Sequence, residues 1–244
     1  SPSSAASDVY KRQDYMHINA TAEKYAGLVG KADGAEIKNI KIGENSRISS
    51  AQTYLGAVAG AVSNTLVTNC HNAANLTSTA MYVGGVLGDA TGAKTVISMC
   101  SNTGTVTTTA NMAGGITARL GDNNAVCVLY NCFNTGAISA KGTAGGIVAF
   151  LQTPTAGTGK SLVANCYNTG DVTADENTAG GIVGQINMFS EIKNCVSCAK
   201  VSAVKRYAGG IVGNNNNQNN PGPITRCYYC LLYTSPSPRD RTRS

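Results

Sequence analysis

The chain has 244 residues with 19 basic and 13 acidic side chains, and only 13% of it is charged, against about 25% in ordinary soluble domains. Gly, Ala, Thr, Asn and Val fill the difference, tryptophan is absent and phenylalanine occurs three times, which suits a narrow stacked core better than a bulky one. No basic cluster runs longer than Lys205-Arg206, which argues against nucleic-acid binding, and no run of about 18 apolar residues is available for membrane insertion.

In chain order, the first stretch, Ser3 to Gln13 (SSAASDVYKRQ), resembles translated adapter sequence from transposase-based sequencing libraries, and so does Cys230 to Asp240 (CLLYTSPSPRD). Residues 1–13 and 230–244 are therefore expected to be non-native, disordered tails. Residues 14–229 are expected to be one repeat domain cut from a longer protein. Setting aside the five basic and two acidic tail residues lowers the net charge from +6 to +3.

The body opens a repeat of about 30 residues, punctuated by glycine. Its clearest copies are Ala144-Gly145-Gly146-Ile147-Val148, Ala179-Gly180-Gly181-Ile182-Val183-Gly184 and Ala208-Gly209-Gly210-Ile211-Val212-Gly213, with looser copies from Tyr25, Leu55, Val83 and Ala113. Such a period means that each unit buries its apolar face only by stacking on its neighbours. Aligning the copies gives three apolar columns. The first is Leu28, Val58, Val86, Ile116, Ile147, Ile182 and Ile211; the second is Ile37, Val67, Ile97, Leu129, Val163, Ile192 and Ile224; the third is Ile18, Ile48, Leu76, Val106, Ile138, Val172 and Val201. Each column predicts a short strand bounded by Gly, Asn and Thr. The fold class is thus all-β, a parallel β-helix (β-solenoid) with three short strands per coil and about seven coils. Right-handedness follows from the usual sense of parallel crossovers. At about 4.8 Å per coil the core is a rod about 30 Å long, whose open ends predict end-to-end self-association.

Only the interval from first to second column varies, from nine residues (Val58 to Val67) to 16 (Ile147 to Val163), so the insertions share one corner of the rod. The longest contains Pro154 to Ser161, which nearly matches a phosphate-binding loop, but Val163 begins a strand where that motif needs a helix. The Asn214 to Asn217 run reads as a solvated loop.

Six cysteines, Cys70, Cys100, Cys132, Cys166, Cys195 and Cys227, share one aligned position that Ile40 fills in the first full coil. An apolar site follows, and the cysteines are expected to form a core ladder of free thiols. Cys195, Cys198, Cys227 and Cys230 imitate a four-thiolate zinc site, but the repeat turns Cys195 and Cys227 inward and leaves Cys198 without partners, so no metal and no cofactor is implied. Asparagine precedes the cysteine position at Asn39, Asn69, Asn131, Asn165 and Asn194 and follows it by two at Asn72, Asn102, Asn134 and Asn168; a turn with an amide ladder is predicted. If cysteine points inward, His71, Phe133, Tyr167 and Tyr228 point outward and make a broken aromatic stripe, the candidate ligand-binding residues. Tyr54, Tyr82 and Tyr207 make a second stripe.

The phrase Ala-Gly-Gly-Ile-Val-Gly, followed by Asn-Cys-Tyr-Asn-Thr-Gly and Asp-Val-Thr-Ala at 165–174, resembles the GLUG-type repeats of large bacterial surface proteins. Thr117-Ala118, Ala149 and Ser197-Cys198-Ala199 depart from the pattern. The resemblance implies a non-enzymatic, extracellular, adhesin-like scaffold displaying or spacing a region that binds a glycan or a host surface protein. A polysaccharide lyase or hydrolase on a β-helix would need acids gathered on one face, and the acids do not align; no catalytic residue is assigned. A plain structural stalk is the remaining alternative.

Overall fold

A computed structural model describes residues 11–122, 125–153, 159–187, 190–216 and 222–230. Among these residues there is no helix, and every strand pairing is parallel. The chain winds into a β-solenoid of seven coils, with equivalent residues stacked about one repeat apart. Ile138, Val172 and Val201 are in register in the third-column sheet, as are Val163, Ile192 and Ile224 in the second-column sheet. The first column sits at the bend just before its strands, where the N–H of Ile147 donates to Ile182 O at 2.9 Å and that of Ile182 to Ile211 O at 2.9 Å.

One coil shows how the residues make the turns. Val172–Ala174 carries the third column, Val183–Asn187 follows the first, and Glu191–Lys193 carries the second. Two further short strands, Thr178–Gly180 and Val196–Ser197, complete the coil. The extra strands have local causes. A Cβ at Gly180 would lie 1.8 Å from Val183 O, so glycine lets the chain double back and the motif itself becomes a strand. Beside the cysteine, one residue per coil adopts a left-handed backbone, with φ of 52–57° at Asn39, Asn69, Met99, Asn131, Asn165, Asn194 and Arg226, and from Met99 onward this kink divides the second-column strand, which runs unbroken as Glu36–Ile42 and Leu66–Asn72 in the first two coils. Asn is the side chain that tolerates that region best. The result is one thirteen-stranded sheet and three seven-stranded sheets.

The interior is a set of vertical stacks. Leu76, Val106, Ile138 and Val172 fill one side, Val86, Ile116, Ile147 and Ile182 another, all essentially inaccessible to solvent. Each such side chain contributes about 1.5–3 kcal/mol on burial. Every inner coil covers both neighbours, so the apolar faces are shielded twice over, whereas the last coil leaves Val204, Tyr207, Ile224 and Tyr228 exposed.

Three expectations change here. Lys11–Gln13, placed in the disordered tail, forms a strand in register with Ile40, Lys41 and Ile42. The edge of a parallel sheet offers unpaired N–H and C=O groups that any extended segment can satisfy, so pairing there requires no repeat sequence. Asn214 and Asn215 extend the strand Val212–Asn215 instead of looping, because Gln185 and Ile186 supply in-register partners. Cys230 is also ordered: its N–H donates to Ser197 O at 2.9 Å and its sulfur is bonded to Cys198. Residues 1–10, 154–158, 217 and 231–244, on which other expectations fall, lie outside the described residues. Where the phosphate-loop resemblance ends, Leu162–Ala164 is a strand.

Candidate ligand-binding face

The segment after each cysteine carries the candidate stripe. Pairing sets His71 beside Ser101, Ser101 beside Phe133, Phe133 beside Tyr167, Tyr167 beside Val196, and Val196 beside Tyr228. Only Phe133 and Tyr167 are brought into contact, their rings parallel within 1° and 5.0 Å apart. Ser101 separates this pair from His71, and Val196 separates it from the largely exposed Tyr228. The His71 ring is held in place: Nδ1 lies 2.7 Å from Ser101 Oγ and Nε2 lies 2.9 Å from Asn69 Oδ1. Partial burial lowers its pKa from the ordinary histidine value, so the ring is neutral at pH 7.

Behind the stripe, Cys70, Cys100, Cys132, Cys166 and Cys195 are buried free thiols, and Cys227 is a half-buried one. Their S–H groups point at carbonyls two residues back, such as Ser98 O at 3.2 Å from Cys100 and Tyr130 O at 3.3 Å from Cys132. The Cys70 thiol is held above its usual range by its hydrogen bond to Cys100 and by burial, and burial does the same to Cys132. Thiolate formation at Cys70 and Cys132 is thereby disfavoured. A seventh free cysteine, Cys127, is buried outside this column and is pushed up to about 12, chiefly by burial. The zinc-like spacing is consumed otherwise: Cys198 does have a partner, since it forms a disulfide with Cys230, one coil away at a Cα separation of 4.7 Å.

The two asparagine sets part company. Asn69 donates to Asn39 Oδ1, Asn165 to Asn131 Oδ1 and Asn194 to Asn165 Oδ1, at 2.8–3.1 Å, on the outer kink. Asn72, Asn102, Asn134 and Asn168 instead point inward, fully buried. Asn72, Asn102 and Asn134 each donate to the next amide oxygen along the rod at 2.8 Å, and all four donate to their own coil's carbonyl two residues on, Ala74, Gly104, Gly136 or Gly170. The second motif glycine faces them, since a Cβ at Gly146 would meet the Asn168 amide at 2.4 Å.

The second stripe keeps Tyr54 and Tyr82 but gains members that the aligned reading missed. Tyr25, Tyr54 and Tyr82 stack in register with ring centroids 5.4 and 5.0 Å apart. Across from them Asp89 and Arg119, one coil apart at the same position, form a two-point ion pair, Nε to Oδ1 at 2.7 Å and Nη2 to Oδ2 at 2.8 Å. Arg119 lies over the Tyr82 ring at 5.5 Å, and the Asp89 hydrogen bond holds its charge firmly. The usable signal was that Asp89 and Arg119 both follow the third position of the glycine motif. Tyr207, by contrast, is separated from this stack by Met112, Thr143 and Thr178 in the column.

One coil carries the defining pattern in full. The GLUG motif matches residues 79–107. That stretch runs from the bend before Tyr82–Gly84 through the first- and second-column strands to Val106–Thr108, so one GLUG unit is one turn of the solenoid, and the neighbouring turns stack on it in register. No curated protein and no solved structure matches the chain. Among the described residues, no helix is long and apolar enough to cross a membrane.

Proposed function

We propose that this chain is a non-enzymatic, extracellular repeat scaffold that displays or spaces a binding region at a bacterial surface, with a glycan or a host surface protein as partner. The observation that carries this reading is the ordered outward stripe centred on the Phe133–Tyr167 stack, set on a GLUG solenoid whose inward asparagines are spent on a coil-to-coil ladder. Rigid aromatic faces offered to solvent recognise sugars and protein surfaces at little entropic cost. The groups that chemistry would need are committed elsewhere. Both nitrogens of His71 are engaged, five of the six aligned thiols are buried, and Asp89 and Glu176 are paired with cations, Asp89 with Arg119 and Glu176 with Lys141 and Lys205.

Glycan-array and host-cell binding by the chain tests the proposal. The wild type is expected to retain specific ligands and the Phe133→Ala/Tyr167→Ala/Tyr228→Ala variant to lose at least about tenfold in affinity, since aromatic anchors dominate such sites. Unchanged binding by that variant refutes the stripe as the site, and no binding by the wild type leaves the stalk reading instead.

A further inference from the structure

The first and last coils of the described rod end in open sheet edges, and the two edges are complementary. His17–Ala20, Tyr25–Ala26 and Val29–Asp33 are paired on one side only at one end, as are Val201–Ala203, Tyr207–Gly209, Val212–Asn215 and Ile224–Thr225 at the other. Apolar columns that are sealed within the rod open at these ends: Leu28 is 37% and Ile224 43% exposed, whereas Ile116 and Ile192 in the same columns are at 0%. Charge differs as well. From Lys200 to Cys230 the sequence holds four cations and no acid, while Asp14 to Glu44 holds five acids and four cations. The edge at Glu36–Ile42 has already taken up a strand outside the repeat, Lys11–Gln13, in parallel register.

We infer that a second copy of this chain docks head to tail on the rod, the last coil of one protomer seating on the first coil of the next, and that Lys11–Gln13 competes with it. The inference is independent of what the outward stripe binds. Because every strand pairing is parallel, a head-to-tail junction keeps both strand direction and columns, and a heterologous contact of that kind extends into a filament. Carrying each column one step across the junction sets Val201 on Ile18, Tyr207 on Tyr25, Val212 on Val29 and Ile224 on Ile37. Apolar meets apolar at each place, and Tyr207 extends the Tyr25, Tyr54 and Tyr82 stack. One ion pair follows from the same register. Lys205, Glu176 and Glu23 stand two residues before Tyr207, Thr178 and Tyr25, which share a column. Lys205 Nζ already lies 3.3 Å from Glu176 Oε1 in the coil before it, and across the junction the same side chain faces Glu23. Arg206 over Lys24 is the like-charge pairing of this register, with Glu23 beside it. By the same count Tyr228 falls on Lys41, the place that Arg12 takes within one protomer. The strand Lys11–Gln13 therefore occupies the position of the incoming Tyr228–Tyr229 strand and has to leave before the junction closes.

Sedimentation velocity over a wide concentration range, with electron microscopy of the assemblies, tests the proposal. The wild type is expected to form rods that lengthen as concentration rises. Lys11→Pro/Gln13→Pro, which takes two backbone donors from the capping strand, is expected to associate at about tenfold lower concentration, because apparent affinity scales with the fraction of uncapped ends. Glu23→Lys and Lys205→Glu, both at exposed positions, are each expected to associate severalfold more weakly while their circular dichroism matches wild type. An equimolar mixture of these two variants should give dimers as its main species, since the reversed last coil of one fits the reversed first coil of the other and the remaining ends repel. Both changes in one chain should restore growth. Monomers at every concentration for the wild type and the proline variant would overturn the docking. A proline variant that associates no more readily than wild type would overturn the competition. Charge reversals without effect, or a mixture no more associated than its components, would overturn the head-to-tail register.

Discussion

Asn134 sits in the middle of the buried amide ladder, receiving a hydrogen bond from Asn102 and donating to Asn168 and to Gly136 O. Changing it to Ala strands a buried donor on Asn102, at a cost of about 1–3 kcal/mol, and leaves Asn168 Oδ1 with only the Gly170 N–H at 3.1 Å. The ladder stops at Ser197, whose buried Oγ has no partner, although Gly181 leaves the same bare site opposite that Gly146 offers Asn168. Ser197→Asn should therefore extend the ladder, with its Oδ1 accepting from Asn168. Urea unfolding is expected to show Asn134→Ala destabilised by about 2–4 kcal/mol and Ser197→Asn stabilised by about 1 kcal/mol. Equal midpoints for all three proteins would mean that the amides act as independent fillers. On the outer kink the requirement is backbone, not hydrogen bonding: Asn165 has φ of 52°, so Asn165→Gly should be tolerated while Asn165→Ala costs about 1 kcal/mol.

The cysteine column and the disulfide are features of whole strands, and thiol chemistry reads them together. In the native state only the half-buried Cys227 should react with a thiol reagent; in denaturant seven free cysteines should react, and nine after reduction of the Cys198–Cys230 bond. The pH dependence has a definite sign. Cys127 ionises at about 12 when folded against 9.0 for an exposed thiol, so the stabilisation is complete below about pH 9. It falls as pH rises toward 12, because only the unfolded chain releases that proton. Each such thiol costs about 1.4 kcal/mol per pH unit in that window. Melting temperatures flat to pH 9 and falling steeply above it would bear this out; a flat profile to pH 11 would refute it. The column itself was legible because Ile40 and six cysteines share one position. What escaped the sequence was set by neighbours in space. Asn72, Asn102, Asn134 and Asn168 look like turn residues until the glycine opposite is seen to make room for them inside. Tyr25, Asp89 and Arg119 become a group only when two sheets fold toward each other. The strand at Lys11–Gln13 is a response to an open edge, which no local pattern records.

At the scale of the molecule, stability accumulates by coil. Each turn contacts only the turns on either side, so its free energy is close to the turn's own term plus one interface, as in a one-dimensional stack. A cut that joins equivalent points should then leave a shorter but otherwise intact rod. Removing residues 138–171 joins Ala137 to Val172, and Val172 is the in-register successor of Ile138. Every column resumes with the same facing, and Val106 can stack directly on Val172 as it does on Ile138. Removing only 138–152 joins the third-column position of one coil to the middle of its longest corner, so that coil loses two column strands and the stack is interrupted. The whole-coil deletion is expected to keep its strand spectrum by circular dichroism and to unfold cooperatively, with a denaturant slope reduced by about one seventh, because that slope follows the surface exposed. The half-coil deletion should lose cooperativity although it removes fewer residues. The opposite ranking would mean that the coils are held by long-range contacts and not by adjacent stacking.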